Sequence, residues 1–447
     1  MTTATNLGFP RIGKHRELKR ALEAFWSKKS DETSLVETAR NLRTAHWQTQ
    51  RDLGIEHIPS NDFALYDQVL DAIQLLGAAP PRYTALESNP LRAYFAMARG
   101  LQAEGVDVPA MEMTKWFDTN YHYIVPELYS GMTFRRSSEK PIAELRESAA
   151  VGIRTRPVLI GPVSFLLLGK MHRASAVTLL DRLLPVYEEI LTSLGREGAE
   201  WVQIDEPCLV TDLAEDAKGA FRAAYERLSR ASHAPKILVA TYFGALGPNL
   251  DLAASLPIAG LHVDLVRAPE QLRDVCKALP KDRALSAGLI DGRNVWRADL
   301  DDAYAKLREI ADARGTERLF VAPSCSLLHC PVDRSTETEL DAELSSWLAF
   351  STDKLEEVAA LARAIDRGDT AAPAFEKSRA CQASRRASKR VNDNAVAARL
   401  ANVTPAMAKR DSAYATRRER QKVLELPVLP TTTIGSFPQT PDVRAAR

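Results

Sequence analysis

Two basic residues near the start of the chain could bind an anion. They stand in the segment Arg16-Glu17-Leu18-Lys19, which follows a Phe-Pro turn after the first predicted strand. At a spacing of three, Arg16 and Lys19 share one face of a helix, so two cations can converge on one negative group. Positive groups near a helix N-terminus oppose the helix dipole, which indicates an anionic partner. From the residues alone, a solvated first turn with no ligand is the favoured interpretation.

A pair of acidic residues ends one of the predicted core strands. Asp205 and Glu206 precede Pro207 at the end of Trp201–Pro207, where barrel enzymes keep catalytic carboxylates. Neighbouring residues of a strand point to opposite faces, so the two carboxylates cannot act together as an acid/base pair. We therefore predict an architectural role for them. Catalysis by Glu206 in an unrelated barrel hydrolase is an alternative.

The best candidate metal set is Cys325, His329 and Cys330. Zinc sites usually take two well-spaced pairs of ligands, whereas an adjacent His-Cys pair on one loop can hardly reach a single ion. Cys208 or Glu206 would have to complete the set. We predict a loop thiol and a hydrogen-bonded imidazole at this loop, and no metal site.

Repeated strand–helix units surround these residues. The predicted strands are apolar throughout, as strands buried on both faces of a parallel sheet are. The clearest are Arg156–Pro162, Trp201–Pro207, Lys236–Phe243, Gly260–Val266, Ala284–Ile290 and Arg318–Ser324; weaker candidates are Asn6–Phe9, Asp62–Asp67 and Met113–Pro126. Leucine stripes at helical spacing separate them. The predicted fold is an α/β (βα)8 barrel of the TIM type, with helical additions.

Composition changes after the barrel. One long amphipathic stretch from Thr336 to Arg367 closes it, and a basic segment with Cys381, predicted to be exposed, follows. The predicted domains are a barrel over residues 1–370, a basic helical linker over 371–430, and the first strand and turn of a second, truncated barrel over 431–447. A nucleic-acid-binding arm is a less favoured reading of the linker, because no aromatic residue interleaves its first basic cluster.

The overall balance of residues excludes several classes of protein. The 447 residues include 59 Lys+Arg and 58 Asp+Glu, for a formal charge of +1. Such a chain has no global field for nucleic acid or an anionic membrane. Five cysteines without dense spacing argue against a disulfide framework, and the first residues lack the apolar core of a secretion signal. We expect a soluble cytoplasmic protein.

The two ends of the chain resemble each other. Asn6–Pro10 reads NLGFP and Thr433–Pro438 reads TIGSFP. A basic residue follows each proline at the same offset, Arg16 in the first copy and Arg444 in the second. A spacing of about four hundred residues is too long for a repeat array and indicates a duplicated domain. Coincidence in a short match is the alternative.

These segments carry a family resemblance over essentially the whole chain. The motifs are NLGFPRIGKHRELKRALEAFW, TKWFDTNYHYIVPEL, RPVLIGPVSFLLLGK, VQIDEP, VAPSCSLLHCPVD and LPTTTIGSFPQT. Together they resemble cobalamin-independent methionine synthase, a zinc methyltransferase with two barrels related by duplication. The resemblance implies that this chain contains the first barrel, the linker and the opening strand of the second barrel.

The resemblance also implies roles for residues. It assigns the polyglutamate tail of a folate to Arg16, Glu17, Leu18, Lys19 and Lys115, although on sequence alone Lys115 could equally pair with Asp118. It assigns homocysteine or methionine to Ile434, Gly435 and Ser436. The family's zinc ligands and catalytic histidine lie in the second barrel and have no counterpart here, so this chain is expected to have no catalytic and no metal-binding residue.

The resemblance therefore implies that this chain is one part of an enzyme that transfers a methyl group. The intact enzyme would move a methyl group from 5-methyltetrahydropteroyl-triglutamate to homocysteine, giving methionine. This chain, expected to be a monomer, would supply the barrel that binds the folate tail and would lack activity alone. A self-contained, non-catalytic folate-binding or assembly module is the alternative.

Overall fold

Eight parallel strands form the centre of the computed structural model, which describes residues 1–103, 105–370, 372–432 and 440–446. They are β1 (Thr3–Ala4), β2 (Ile58–Ser60), β3 (Thr155–Ile160), β4 (Trp201–Asp205), β5 (Lys236–Ala240), β6 (Gly260–Asp264), β7 (Ala284–Ile290) and β8 (Leu319–Pro323). From β2 onward each strand pairs with the next in chain order, and β8 pairs with β1. A parallel bridge between Thr5 and His57 joins β1 to β2. The sheet therefore closes on itself, which confirms the predicted barrel.

Six of the predicted strands are confirmed, and two weaker ones are misplaced. The predictions at Asn6–Phe9 and Asp62–Asp67 are wrong, because β1 and β2 lie a few residues earlier in the chain. The predicted segments are loops with buried phenylalanines, Phe9 and Phe63. The Asp62 carboxylate accepts a hydrogen bond from the Phe9 N–H at 2.8 Å. Side-chain hydrogen bonds to the backbone thus give an apolar segment a loop conformation.

The predicted strand at Met113–Pro126 is also wrong, because this segment is an antiparallel hairpin outside the barrel. Met113–Lys115 pairs with His122–Ile124, and six residues form its tip. We call residues 113–124 the rim hairpin. Two further small pairings lie outside the barrel: Leu101–Ala103 with Val106–Val108, and Glu127–Leu128 with Lys170–Met171.

Helices surround the strands and cover the outer face of the barrel. These α-helices are Glu17–Trp26, Glu32–Asp52, Gln68–Leu75, Pro90–Arg99, Lys140–Ala150, Pro162–Leu168, Leu180–Arg196, Glu215–Leu228, Leu250–Ser255, Leu272–Ala278, Leu300–Arg314, Ala342–Trp347, Ser351–Arg367 and Pro373–Ala387. The rest of the described chain has three more α-helices, Asn394–Ala401, Tyr414–Gln421 and Pro441–Ala445. Leu183, Ile190 and Leu194 of one predicted stripe are fully buried. The long stretch predicted from Thr336 is two helices, since extended residues separate Ala342–Trp347 from Ser351–Arg367.

Two compact units make up the chain, Met1–Arg385 and Arg386–Arg447. The helix Pro373–Ala387, placed by sequence in the linker, buries Phe375 and Cys381 in the first unit. The predicted exposure of Cys381 is therefore wrong, because this helix has an apolar face that packs on the barrel. The predicted linker and second-barrel bounds remain predictions.

The second unit has exposed helices at Asn394–Ala401, Tyr414–Gln421 and Pro441–Ala445. Most of its predicted opening strand, residues 433–439, lies outside the described residues. In the described parts of the chain, no helix has the length and apolarity that crossing a membrane requires.

Candidate functional site

The carboxyl-terminal ends of the strands form the mouth of the barrel, and the loop after β1 contacts the rim hairpin there. Arg11, in the loop after β1, places its guanidinium carbon 5.6 Å from the ring centre of Tyr121 in the rim hairpin. Tyr121 also contacts the ring of His329 in the loop after β8, with ring centres 6.2 Å apart. Ligand sites of TIM barrels occupy this end.

Arg16 stands just before the first helix, and its backbone is unusual. It has φ 61° and ψ 36°, the left-handed region that side chains with a β-carbon disfavour. Its N–H donates to the carbonyl of Gly13 at 3.1 Å. The predicted shared helix face of Arg16 and Lys19 is therefore wrong, since Arg16 is the residue before the helix. Both side chains are exposed nonetheless, and Lys19 lies 3.7 Å from Glu23.

Glu17 and Leu18 fasten the start of the helix to the preceding loop. A Glu17 carboxylate oxygen accepts a hydrogen bond from the His15 N–H at 2.9 Å. The Leu18 side chain is buried, and its N–H donates to the carbonyl of Ile12 at 3.2 Å. Of the four predicted residues, Arg16 and Lys19 are thus the ones whose side chains extend into solvent.

Lys115 ends the first strand of the rim hairpin, opposite His122. It is exposed, and among the described residues it has no ion-pair partner. The alternative pairing with Asp118 is wrong, because that carboxylate binds Arg267 at 2.8 Å and Arg293 at 2.7 Å. Partial burial raises the pKa of Asp118, but hydrogen bonds from the two arginines outweigh it, and the pKa lies below its usual value.

The two carboxylates at the end of β4 point in opposite directions, as their adjacency predicts. Asp205 faces the barrel interior, where it accepts hydrogen bonds from Gln203 at 2.7 Å and from the Tyr242 hydroxyl at 3.0 Å. Glu206 faces the helix layer and accepts from the Ser164 N–H at 2.7 Å and the Tyr225 hydroxyl at 3.0 Å. Burial raises the pKa of both carboxyls to about 7.

Sequence reasoning missed the polar network that fills the barrel interior. Arg156 of β3 is buried and donates to the Asn6 carbonyl at 2.7 Å and to the Gln203 side chain at 2.9 Å. His262 of β6 contacts the Ser286 hydroxyl at 2.9 Å. Burial lowers the pKa of Arg156 to about 9 and that of His262 to about 3. The signal in the sequence was the presence of Arg156 and His262, two polar residues, inside predicted strands that are otherwise apolar.

The cysteine and histidine side chains after β8 do not form a metal site. The Cys330 thiol donates to the carbonyls of Gly292 at 3.1 Å and Asn294 at 3.2 Å, and burial raises its pKa to about 12. Zinc binds the thiolate, so this environment does not fit the ion. Within the described ranges, no group of three or more His, Cys, Asp or Glu could hold a metal.

His329 differs from its prediction as a hydrogen-bonded imidazole. Its ring centre lies 5.7 Å from that of Phe243 and packs edge-on, as it does against Tyr121. Burial lowers its pKa to about 4, which favours the neutral ring. Aromatic contacts therefore account for its position. Ile434, Gly435 and Ser436, the predicted homocysteine-binding residues, lie outside the described residues.

Comparisons with known proteins agree on one family. Residues 3–315 match the model of the cobalamin-independent synthase N-terminal domain. The chain is 54% identical over 450 residues to the 5-methyltetrahydropteroyltriglutamate–homocysteine methyltransferase of Xylella fastidiosa strain M23, covering 100% of this chain and 59% of that protein. It is 52% identical over 461 residues to the protein of the same name from Nitrobacter winogradskyi, covering 99% of this chain and 60% of that protein. The chain thus spans about three fifths of the length of these relatives.

A solved structure shows the same fold. The B12-independent methionine synthase from Shewanella sp. W3-18-1, in complex with selenomethionine, superimposes with a TM-score of 0.57 at 14% sequence identity. The match covers 82% of this chain and 98% of that chain.

Proposed function

The chain belongs to the cobalamin-independent synthase family, matching its N-terminal domain, and on that premise we propose that it binds the glutamate tail of a folate for a methyltransferase. The whole reaction would transfer a methyl group from 5-methyltetrahydropteroyl-triglutamate to homocysteine. The observation that carries the proposal is the exposure of three cations, Arg16 and Lys19 at the start of the first helix and Lys115 on the rim hairpin.

The charges of this rim suit a polyglutamate. Successive glutamyl units place carboxylates along an extended chain, and Arg16 and Lys115 lack ion-pair partners among the described residues. Glu17 and Leu18 would hold the start of the helix so that Arg16 and Lys19 face solvent. Exposed charge pairs contribute about 0.2–1 kcal/mol each, so binding by a few such cations is weak and sensitive to salt.

The barrel interior supports a binding role rather than a catalytic one. Asp205 and Glu206 are buried and already accept hydrogen bonds from side chains and backbone of the barrel. The Asp205 residue is 4% exposed and Glu206 is fully buried. Their role in this proposal is to hold β4 to its neighbours and to the helix layer.

Zinc would bind elsewhere in the whole enzyme, and homocysteine would bind at the opening of the second barrel. Cys325, His329 and Cys330 do not fit the ion, so we assign zinc binding to no residue of this chain. The assignment of homocysteine to Ile434, Gly435 and Ser436 remains part of the proposal, through the family resemblance alone. We also place the protein in the cytoplasm as a monomer. Five cysteines without dense spacing suit a reducing compartment.

The test is a calorimetric titration of the chain with triglutamyl and monoglutamyl 5-methyltetrahydrofolate. Lys19→Ala and Lys115→Ala should each weaken triglutamyl binding about two- to five-fold and leave monoglutamyl binding unchanged. Lys277→Ala is the matched control, since Lys277 is an exposed lysine on a helix of the outer layer. Equal losses for both ligands would place the lysines against another part of the folate and contradict the assignment to the tail.

A further inference from the structure

The Asp118 carboxylate, at the tip of the rim hairpin, forms two ion pairs with loops of the barrel. Asp118 binds Arg267, in the loop after β6, and Arg293, in the loop after β7. Arg293 also donates to the backbone carbonyl of Asp118 at 3.2 Å. Two guanidinium groups from neighbouring loops therefore converge on one residue of the hairpin. Because the carboxylate binds both arginines, it fixes the distance and the direction of the hairpin tip relative to the two loops.

Phe117, which precedes Asp118, and Phe243, whose ring contacts that of Phe117, are both held in an unfavourable backbone conformation. Phe117 has φ 52° and Phe243, after β5, has φ 76°. Bulky residues rarely adopt positive φ, and such residues cluster where the surrounding structure imposes a functional geometry. The two rings contact each other with centres 5.8 Å apart, and the Arg293 guanidinium lies 5.0 Å from the Phe243 ring. The ion pairs and the aromatic contact hold the tip together.

A backbone hydrogen bond across the hairpin connects the residue after Lys115 to the other side of the tip. The N–H of Trp116, the residue after Lys115, donates to the carbonyl of Tyr121 at 2.8 Å. The base of the hairpin is fixed separately, because the buried carboxylate of Asp67 accepts the N–H of Ile124 at 2.9 Å. Lys115 therefore lies between a fixed base and a tip that Asp118 fastens, and its exposed ammonium has no protein partner among the described residues.

We propose that Asp118, through Arg267 and Arg293, is a positioning residue that holds Lys115 at the barrel mouth for the carboxylates of the glutamate tail. The inference rests on the proposed function and adds to it a residue that does not itself touch the ligand. Asp118 is an anion and would repel a tail carboxylate if it were free. Neutralised by two arginines, it contributes to binding through Lys115 alone.

The experiment is a double-mutant cycle on the full chain, read as affinity for triglutamyl and monoglutamyl 5-methyltetrahydrofolate. Asp118→Asn removes the charge at nearly constant size, and Arg293→Gln breaks the same ion pair from the other side. Each should lower triglutamyl affinity by about as much as Lys115→Ala, roughly two- to five-fold, with monoglutamyl affinity unchanged. Adding Lys115→Ala to Asp118→Asn should then cause no further loss, and Asp118→Glu should restore part of the affinity.

A matched control separates positioning from general stability. Glu197→Gln breaks a comparable two-contact ion pair with Arg146, at 2.6 and 2.9 Å, away from the rim hairpin. It should change neither ligand's affinity, and thermal melting of every variant should show that the chain is folded. Additive losses from Lys115→Ala and Asp118→Asn, or equal losses for both ligands, would overturn the positioning role.

The two proposals fail in different ways. If Lys115→Ala weakens triglutamyl binding selectively and Asp118→Asn does not, the tail site stands and the positioning role is wrong. If Lys115→Ala has no tail-specific effect, the tail assignment of Lys115 fails, and the role of Asp118 fails with it.

Discussion

The interior of the barrel and the rim of its mouth use the same chemical groups in opposite ways. Arg156, in the interior, is 2% exposed and donates hydrogen bonds to Asn6 and Gln203. Arg16, at the rim, is exposed and has no ion-pair partner among the described residues. A buried charge without partners costs several kcal/mol, whereas an exposed one costs the fold little. The charged side chains that can bind a ligand, such as Arg16, are therefore those that the fold does not need for its own hydrogen bonds.

The acidic residues show the same contrast. Asp205 lies in the interior, where burial raises its pKa to about 7. Asp118 lies at the rim, where two arginines hold its pKa below the usual value. The interior thus disfavours the charge of its carboxylate, while the rim stabilises it. These differences can be measured as stability and as pH dependence.

The largest effect is expected in the interior. Arg156→Leu should lower the free energy of unfolding by about 3–5 kcal/mol, because it leaves the Asn6 carbonyl and the Gln203 side chain without their donor. Lys19→Ala at the rim should change it by less than about 0.5 kcal/mol. Urea unfolding followed by circular dichroism measures both. A loss below about 1 kcal/mol for Arg156→Leu would show that the interior network does not need its charge.

A second interior effect should appear in the pH dependence of the Asp205→Asn variant. The folded-state pKa of about 7 lies above the reference value of 3.8, so between these values the folded state holds a proton that the unfolded state has lost. The stability due to this group is present at low pH and is lost as pH rises toward 7. Each unit of pKa difference corresponds to about 1.4 kcal/mol. The wild type should therefore lose stability relative to Asp205→Asn between pH 4 and 7.

The rim variant Asp118→Asn is the control for this pH effect. The lowered pKa of Asp118 makes its contribution present above the reference value, to be lost only as pH falls below about 4. Its stability difference from the wild type should thus be flat between pH 4 and 7. Urea unfolding at a series of pH values measures both stability differences. If the two differences changed with pH in the same way, interior and rim carboxylates would not differ as proposed.

The smallest effect concerns the backbone of Arg16. Arg16→Gly removes the cation and also relieves the left-handed strain, whereas Arg16→Ala removes the cation alone. The glycine variant should be about 0.5–1 kcal/mol more stable than the alanine variant. Both should weaken triglutamyl folate binding about two- to five-fold, as expected for one exposed charge pair. An alanine variant as stable as the glycine variant would show that the conformation at residue 16 is not strained.

Sequence patterns predicted the barrel better than its mouth. Continuous apolar runs located β3 to β8, because a strand buried on both faces must be apolar along its length. The same signal failed at Phe9, Phe63 and the rim hairpin, where apolar residues are buried by loops rather than by sheet pairing. Hydrophobicity reports burial, and burial alone does not distinguish a strand from a packed loop.

The sequence by itself determined the order of strands and helices, the opposed directions of Asp205 and Glu206, and the family, since these depend on local periodicity and long motifs. It also identified Arg16 and Lys19 by their spacing and Lys115 through the family resemblance. Only the tertiary structure decided which charges are engaged: it brought Arg267 and Arg293 to Asp118 across 149 and 175 residues of chain. Two charges pair only when they are close in space. Residues on separate loops can be close in space although they are far apart in sequence, so their spacing in the sequence does not predict the pair.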